Sequence, residues 1–313
     1  MANVLVTGAA GFIGSHLVDE LLRRGHRVIG VDNLSLGALG NLKAAQATAA
    51  LRLVELDVAS EEFPRWNPGE RVDEVWHMAA NSNIPAGVDN SEVDFKDTFL
   101  TTHRVLAWMR AHDVTKLSFA SSSAVYGVRE EPIQEESGPM LPISNYGAMK
   151  LASEAAISAA AEAWLKRADV LRFPNVIGAR ATHGAILDFV RKLRKSPARL
   201  EVLGDGSQAK PYLHVQNLVQ AMLFIDANAQ GRLNIYNIGP EDAVTVREMA
   251  EATVAQAAPR ATIAYGKGPR GWVGDVSRFR YNMGKLRKLG WKEQMSSGEA
   301  LRRAVQEIVD EHP

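Results

Sequence analysis

Two side chains near the middle of the chain have the types and the spacing that proton transfer requires. Tyr146 and Lys150 are four residues apart at the start of an alanine-rich stretch, so on a helix they lie on one face. A tyrosine ordinarily ionises at about pH 10, and a nearby ammonium group stabilises its phenolate. The pair could therefore act as a general base near neutral pH. An ordinary half-buried tyrosine beside a solvated lysine fits the same spacing.

A glycine-rich turn near the start of the chain has the spacing of a phosphate-binding loop. Three glycines follow the apolar run Val4 to Val6 and open a segment with helical periodicity. Glycine permits a sharp turn and lets the backbone approach a pyrophosphate, which the free N–H groups of the helix start can bind. The alternative is a tight strand-to-helix turn without a ligand. We predict a dinucleotide site. The residues predicted to contact the dinucleotide here are Gly8, Gly11, Phe12, Ile13 and Gly14.

An acidic residue follows where the adenosine ribose would lie. Asp32 ends a second apolar strand, roughly twenty residues past the glycines, and a carboxylate there accepts hydrogen bonds from the ribose. Its charge would repel a 2′-phosphate and no arginine follows at once, which favours NAD over NADP. Without the glycine loop, Asp32 would be better interpreted as a helix cap or a turn residue. For Asp57, contact with adenine and a strand-end cap are equal alternatives. The further predicted cofactor contacts are Asn33, Asp57, Val58, Ala79, Ala80, Tyr146 and Lys150.

The elements that must position these residues are strands and helices in alternation. Strand patterns end near Val6, Asp32, Leu56, Asn81 and Ser121, with helical patterns between several of them. Alternation of this length indicates right-handed βαβ units and a parallel sheet. The predicted fold is therefore α/β, a Rossmann-type doubly wound parallel sheet. Such sheets bind ligands at the carboxyl ends of their strands.

Composition excludes several other classes of function. Lys+Arg 36 balances Asp+Glu 36 and the pI is about 7.1, so nothing favours nucleic acid or an anionic membrane as a partner. The absence of cysteine excludes disulfides, thiolate catalysis and thiolate metal sites, and we predict no metal. The first strand begins at about Asn3, leaving no room for a signal peptide, and no apolar run could span a bilayer. These features predict a cytoplasmic protein.

Further segments give the chain a resemblance to a known family. Leu171 to Arg180 is similar to a family stretch R-x-x-N-v-y-G-p-R, and Leu203 to Gly206 and Tyr212 to Val215 match two more. With the glycine loop and the tyrosine–lysine pair, the chain resembles an extended short-chain dehydrogenase/reductase, specifically a nucleotide-sugar epimerase. The resemblance runs nearly end to end. It implies an NAD-binding Rossmann domain over 1–172 and a smaller mixed α/β substrate domain over 173–313, with roughly 231–240 returning to the Rossmann sheet.

The resemblance also implies a reaction. Ser122 would hydrogen-bond the sugar C4 oxygen, Tyr146 would be the base and Lys150 would hold the nicotinamide ribose. A hydride would move from sugar C4 to NAD while Tyr146 takes the O4 proton, and its return to the other face of the 4-keto sugar would invert C4. Dehydratases of the family have an Asp-Glu pair just after the serine or threonine, where this chain has Ser123 and Ala124. We therefore expect simple C4 epimerisation of a UDP-hexose.

Substrate contacts are implied by the same resemblance. They are Ser122, Tyr146, Asn175, His183, Gly184, Ile186, Lys210, Tyr212, Arg270 and Asp275. Backbone groups are expected to act between His183 and Ile186, although His183 also fits a surface loop. Lys210 stands where most members have a phosphate-binding arginine, and lysine keeps the charge but lacks the planar fork. Phe279 favours glucose and galactose, because the matching position is small in epimerases that accept N-acetyl sugars; a core aromatic is the alternative.

Other functions stay open. The chain could epimerise a UDP-N-acetylhexosamine or another NDP-sugar, reduce a 4-keto sugar, or bind a dinucleotide without turnover. A non-catalytic binder has no need of Ser122, Tyr146 and Lys150 together, which disfavours the last alternative. By analogy with relatives, helices over Val93 to Ala111 and Tyr146 to Lys166 would form a four-helix dimer interface. We therefore expect a homodimer that binds a UDP-sugar.

Overall fold

A computed structural model describes residues 1–268 and 279–312. By contacts, the chain divides into two compact units. The first unit comprises Met1–Val125, Leu141–Arg172 and Met222–Tyr236, and the second unit comprises Tyr126–Met140, Phe173–Ala221 and Asn237–Pro313. Within the described residues, no helix is both long and apolar enough to cross a membrane.

Strands and helices follow one another along most of the chain. The strands are β1 (Asn3–Thr7), β2 (Arg27–Asp32), β3 (Leu51–Glu55), β4 (Glu74–His77), β5 (Lys116–Ser122), β6 (Arg167–Phe173), β7 (Asn175–Ile177), β8 (Arg199–Val202), β9 (Ala209–Lys210), β10 (Tyr212–His214), β11 (Leu233–Asn237), β12 (Val244–Thr245) and β13 (Thr262–Tyr265). The α-helices are α1 (Phe12–Arg23), α2 (Lys43–Gln46), α3 (Ile84–Asp89), α4 (Ser91–Asp94), α5 (Thr101–Ala111), α6 (Asn145–Ala163), α7 (Ala185–Lys195), α8 (Val215–Asn228), α9 (Val246–Ala257), α10 (Gly284–Lys288) and α11 (Ser297–Glu311).

The first unit is built on a seven-stranded sheet in the order β11-β6-β5-β4-β1-β2-β3. The neighbours β4–β5, β1–β4, β1–β2 and β2–β3 pair in parallel. Thr7 lies opposite both Val31 and His77, so the chain leaves β1, β2 and β4 at one edge of the sheet. Gly8, Asp32 and the residues after His77 therefore meet at that edge. The predicted Rossmann-type α/β fold is confirmed.

Helix α6 begins so that the tyrosine–lysine pair lies at the sheet edge. The Ser144 hydroxyl caps the helix by accepting a hydrogen bond from the backbone N–H of Gly147 at 3.1 Å. Gly147 itself is tightly enclosed, since a Cβ there would lie 2.6 Å from the carbonyl oxygen of Ala124. This contact holds the first turn of α6 beside the residues that follow β5. Tyr146 lies in that first turn, and Lys150 lies one turn later.

One predicted helix is interrupted. The single helix expected over Val93 to Ala111 is observed as α4, a π-helical segment Phe95–Leu100 and then α5. The hydroxyls of Thr101 and Thr102 both donate to the carbonyl oxygen of Thr98, at 2.9 and 3.1 Å. Threonine hydroxyls that bond to carbonyls of the preceding turn compete with the regular helical pattern, which is consistent with the local widening.

The second unit has a mixed α/β structure. It contains short two-stranded pairings, parallel for β7–β10 and β8–β13 and antiparallel for β9–β12. Its apolar core is formed largely by one face each of α7, α9 and α11, with members such as Leu187, Met249 and Leu301. Helices α9 and α11 each begin with a capping box, in which a Ser or Thr cap and a Glu three residues later bond reciprocally.

A buried histidine ties the last helix to the strands of the second unit. His214 at the end of β10 has no exposed surface, and its Nε2 lies 3.0 Å from a carboxylate oxygen of Glu307 in α11. The same oxygen accepts a hydrogen bond from the backbone N–H of Ala179 at 3.0 Å, and Arg303 donates to the other oxygen at 2.8 Å. Burial raises the pKa of Glu307, but the interactions with His214, Ala179 and Arg303 outweigh it and lower the pKa to about 2.

This carboxylate should stabilise the protein in a pH-dependent way. The pKa of Glu307 is depressed by folding, so its contribution is full above the unfolded value of 4.5 and is lost as pH falls towards about 2. We expect Glu307→Gln to lower the free energy of unfolding at pH 7 by roughly 1–3 kcal/mol. The difference from wild type should shrink in urea unfolding at about pH 3. A difference of equal size at both pH values would contradict this assignment.

Candidate active site

The glycine loop joins β1 to α1 through close backbone contacts. Gly8 has a φ of 67°, and a Cβ there would lie 2.8 Å from the backbone nitrogen of Ala79. A Cβ on Gly14 would lie 2.0 Å from the carbonyl oxygen of Gly8. Gly11 precedes α1, and no side chain caps the helix there. The N–H groups of the first turn can therefore bind a ligand. Phe12 and Ile13 are the first residues of α1. This turn fits a dinucleotide pyrophosphate, because its glycines allow close backbone approach and no side chain caps the helix start.

Asp32 ends β2 beside this loop and is 6 % exposed. One carboxylate oxygen accepts a hydrogen bond from the backbone N–H of Ala10 at 2.9 Å, and the other from Leu34 at 2.8 Å. Each carboxylate oxygen can accept more than one hydrogen bond, so Asp32 can bind a ribose hydroxyl while it stays anchored. A 2′-phosphate would meet its negative charge. Asn33 is exposed and accepts hydrogen bonds from Ser35 within a turn.

Four further predicted cofactor contacts follow β3 and β4. Asp57 accepts a hydrogen bond from the backbone N–H two residues on, at 2.9 Å, and its other oxygen lies 3.3 Å from the ammonium group of Lys96. It thus forms the cap that was the alternative to cofactor binding. Val58 belongs to the apolar core of the first unit. Ala79 and Ala80 are half-buried just after β4. Cofactor contact for these four residues stays a prediction.

Ser122, Tyr146 and Lys150 are brought together by the end of β5 and the start of α6. Lys150 is 2 % exposed, and its ammonium group donates a hydrogen bond to the carbonyl oxygen of Ala120 at 2.6 Å. Its Nζ lies 5.7 Å from the centroid of the Tyr146 ring. Ser122 is half-buried at the end of β5 and is close enough to Tyr146 to lower the pKa of its phenol. A hydroxyl, a phenol and an ammonium group therefore form one cluster, which is suited to binding and deprotonating a substrate alcohol.

The charges in this cluster differ from the expectation that Lys150 would bring the pKa of Tyr146 towards neutrality. Burial, with a smaller contribution from Asp94, raises the pKa of Tyr146 to about 12, and the nearby Ser122 only partly opposes them. Burial also lowers the pKa of Lys150 to about 7, although the nearby carboxylates of Glu154 and Asp94 raise it and partly oppose this effect. Desolvation disfavours the charged form of each group and is the largest effect on both. Deprotonation of Tyr146 therefore requires more positive charge than Lys150 brings alone.

The second unit holds the predicted contacts between residues 183 and 186. His183 and Gly184 are exposed, and Gly184 precedes α7 with a φ of 113°. The Nδ1 atom of His183 lies 3.0 Å from the hydroxyl of Thr182, which fits the surface-loop alternative. Ile186 is 2 % exposed and packs in the core of the second unit. Its side chain is therefore occupied by core packing, and substrate contact through the backbone of this segment stays a prediction.

The other predicted substrate residues of the second unit lie on short strands. Asn175 is exposed in β7, directly opposite Tyr212 in β10. Tyr212 is 6 % exposed and belongs to the core, and its backbone N–H donates to the hydroxyl of Ser297 at 3.1 Å. Lys210 is half-buried in β9. Arg270 and Asp275 lie outside the described residues. Substrate contact for these residues stays a prediction.

Two buried carboxylates near Lys150 were not predicted. Glu154 follows Lys150 by four residues, a spacing visible in the sequence once Tyr146 and Lys150 are placed on one helical face. Asp94 has no exposed surface, accepts a hydrogen bond from the Asn81 side chain at 2.8 Å and is close enough to affect the pKa of Lys150. No sequence spacing relates Asp94 to Lys150, because they lie on different helices.

Comparison with known proteins agrees with this arrangement. Residues 4–239 match the NAD dependent epimerase/dehydratase family. The chain belongs to this family. A UDP-glucose 4-epimerase of Corynebacterium glutamicum is 32% identical over 266 residues, which cover 80% of this chain and 78% of that protein. A crystal structure of a UDP-galactose 4-epimerase is 34% identical with a TM-score of 0.87 and 99% coverage of both chains. The UDP-glucose 4-epimerase of Thermus thermophilus, in complex with NAD, is 30% identical with a TM-score of 0.85 and 98% coverage of both chains.

Membership of the epimerase/dehydratase family identifies the cofactor as NAD. The glycine loop and Asp32 fit that cofactor, since close backbone contacts require glycine in the loop and the Asp32 carboxylate can accept from a ribose hydroxyl while its charge would repel a 2′-phosphate. The cluster of Ser122, Tyr146 and Lys150 lies in the same unit as these elements. The chain is therefore an NAD-dependent enzyme, and the non-catalytic alternative is excluded.

Proposed function

We propose that this chain interconverts UDP-glucose and UDP-galactose by inverting the configuration at sugar C4. At the level of reaction class, it is an NAD-dependent nucleotide-sugar 4-epimerase, an isomerase. The observation that carries the proposal is the grouping of Ser122, Tyr146 and Lys150 in the unit that also contains the glycine loop. The relatives named above support a UDP-hexose as the substrate, because they are UDP-glucose and UDP-galactose epimerases.

Each member of the cluster has a role in this reaction. NAD, when bound, supplies the hydride acceptor and a positively charged nicotinamide ring. Ser122 holds the O4 hydroxyl by a hydrogen bond, and Tyr146 removes the O4 proton and later returns it. Lys150, fixed on the Ala120 carbonyl, orients the nicotinamide ribose and adds positive charge near the phenol. Between the two proton transfers, the 4-keto sugar must rotate so that the hydride returns to the opposite face of C4, which inverts its configuration.

The same cluster disfavours elimination of water. After Ser122 the chain continues with Ser123 and Ala124, so the short helical segment Ser123–Tyr126 begins without a carboxylic acid. A 4,6-dehydratase needs a proton donor and a base for C5 and C6 in addition to the tyrosine. Epimerisation requires only one group that takes and returns a single proton. Tyr146 provides that group.

Proton NMR of UDP-galactose, incubated with the purified protein and NAD, tests the proposed reaction. The anomeric signals should convert to those of UDP-glucose until equilibrium, with no net NADH at the end. No conversion of UDP-galactose, with conversion of UDP-N-acetylglucosamine or UDP-glucuronic acid, would replace the proposed substrate. No conversion of any nucleotide sugar would overturn the proposed reaction.

Phe279 provides a test of sugar selectivity. Phe279 is 8 % exposed and its ring lies 5.6 Å from that of Tyr281 in an edge-to-face contact. If it also limits the space beside sugar C2, Phe279→Ser should raise kcat/KM for UDP-N-acetylglucosamine relative to UDP-glucose by roughly tenfold. Unchanged selectivity in a folded variant would leave Phe279 as a core aromatic only. Competition assays with both sugars in one tube measure the ratio directly.

We also propose a homodimer. Val88 on α3 and Phe95 in the π-helical segment are 44% and 45% exposed, so two large apolar side chains lie on the surface of the first unit near α5 and α6. Exposed apolar surface of this kind favours association. Light scattering of the eluted protein should give about twice the 34.1 kDa of one chain. A mass of 34.1 kDa at micromolar concentration would contradict the proposal.

A further inference from the structure

Glu154 joins the catalytic helix to two strands of the sheet. It is 6 % exposed and lies on the same face of α6 as Tyr146 and Lys150, since the three follow one another at four-residue spacing. Its carboxylate accepts a short hydrogen bond from the hydroxyl of Ser121 and two from the guanidinium group of Arg172, at 2.9 and 2.6 Å. Ser121 and Arg172 are buried in β5 and β6. One carboxylate thus holds α6, β5 and β6 together.

The end of β5 is attached to α6 at two consecutive residues, and a third lies beside it. The carbonyl oxygen of Ala120 accepts from the ammonium group of Lys150, and the hydroxyl of Ser121 donates to Glu154. Ser122 lies close enough to Tyr146 to lower the pKa of its phenol. Neighbouring residues of a strand point to opposite faces, so the bond of Ser121 fixes the backbone from which Ser122 projects. Displacement of Ser121 would therefore move Ser122 relative to the phenol.

Glu154 also contributes to the charge around Lys150. The titratable groups that interact with Lys150 are Tyr146 and Glu154 on its own helix, Asp94 on α4 and His77 on β4. Burial lowers the pKa of Lys150 to about 7, and Glu154 is the larger of the two influences that raise it. Because Lys150 is 2 % exposed, its charge has little solvent to stabilise it. A carboxylate one helical turn away favours the ammonium form.

We propose that Glu154 is a positioning residue: through Ser121 it sets the place of Ser122, and through its negative charge it keeps Lys150 in the ammonium form. The inference rests on the proposed function only for its effect on turnover. Arg172 completes the arrangement, because its two hydrogen bonds satisfy the buried carboxylate. The role is distinct from those of Tyr146 and Lys150, since nothing requires Glu154 to touch the substrate.

The charge role is tested without turnover. Protein labelled with 13C at the lysine ε-carbon reports the ionisation of Lys150 by NMR, with its signal assigned through its absence in Lys150→Arg. Glu154→Gln should lower the pKa of Lys150 by about one unit or more, because a neighbouring negative charge is lost. Ser121→Ala should leave the pKa of Lys150 unchanged. The matched control is Glu162→Gln, which lies on the same helix but has 80% of its side chain exposed. This variant should also leave the pKa of Lys150 unchanged. An unshifted titration in folded Glu154→Gln would overturn the charge role.

The positional role is tested by kinetics. Ser121→Ala keeps the Glu154–Arg172 pair, so it should fold, and it should lower kcat about tenfold with KM little changed. Glu154→Gln should lower kcat further and move the loss of activity at high pH to lower pH, while Glu162→Gln should match wild type. Wild-type kcat in Ser121→Ala would overturn the positional role. If wild type turns over no nucleotide sugar while the Lys150 titration still shifts in Glu154→Gln, the proposed reaction fails and the charge role stands.

Discussion

Tyr146→Phe should lower the rate of epimerisation by roughly 10³-fold while NAD stays bound. Phenylalanine keeps the ring that packs beside Lys150 but lacks the hydroxyl that we propose exchanges the O4 proton. The glycine loop and Asp32 are not altered, so NAD binding should not change. Initial rates with UDP-galactose give the loss of activity, and the NAD content of the purified variant gives the binding.

A second tyrosine supplies the control. Among the described residues, the buried hydroxyl of Tyr265 has no hydrogen-bond partner, and its ring lies 4.0 Å from the guanidinium carbon of Arg247. Tyr265→Phe should therefore retain wild-type turnover, although it removes the same atom. Turnover at the wild-type rate by Tyr146→Phe would remove Tyr146 from the proton transfer. Loss of NAD from that variant would show instead that the phenol supports the cofactor site.

The sheet edge could be predicted because parallel strands end together. Gly8 and Asp32 each follow or end an apolar run, and strands of a parallel sheet place such ends side by side. The tyrosine–lysine pair could be predicted from helical spacing alone. In both cases, local periodicity determines which residues share a sheet edge or a helix face. Their proximity can therefore be predicted from the sequence.

The electrostatics of the same site could not be predicted from spacing. The expectation that Lys150 would make Tyr146 a base near neutral pH was based on one neighbouring charge. It did not include the effect of burial on either pKa. In the structure, burial has the largest influence on both groups and moves their pKa values in opposite directions, up for the phenol and down for the ammonium. How deeply a side chain is buried depends on elements distant in sequence, such as α4 with Asp94.

Tertiary packing also decided the roles of individual side chains. The sequence motif that includes Tyr212 does not show that its ring packs in the core of the second unit, and the side chain of Ile186 packs in the same core. Glu154 was overlooked for a different reason. A glutamate four residues after a lysine is common on exposed helix surfaces, and only the pairing with Arg172 from β6 distinguishes this one.

Gly14→Ala should lower the affinity for NAD by roughly 10²-fold or more and also reduce the unfolding temperature. A Cβ at this position would lie 2.0 Å from the carbonyl oxygen of Gly8 and 2.9 Å from its carbonyl carbon. Both contacts are with backbone, so no side chain can rotate away, and the start of α1 must move from β1. Because the N–H groups of that helix start are proposed to bind the pyrophosphate, the displacement acts directly on the cofactor. Calorimetric titration of nucleotide-free protein with NAD measures the affinity.

A graded series makes this prediction specific to the loop geometry. A Cβ on Gly11 would lie 3.2 Å from the same oxygen, and one on Gly40 would have no atom within 4 Å. The loss of NAD affinity should therefore be largest for Gly14→Ala, smaller for Gly11→Ala and absent for Gly40→Ala. Equal losses for Gly14→Ala and Gly40→Ala would mean that glycine content rather than close approach matters. Unchanged affinity in Gly14→Ala would mean that NAD does not depend on this turn, and the cofactor site would have to be sought elsewhere on the sheet edge.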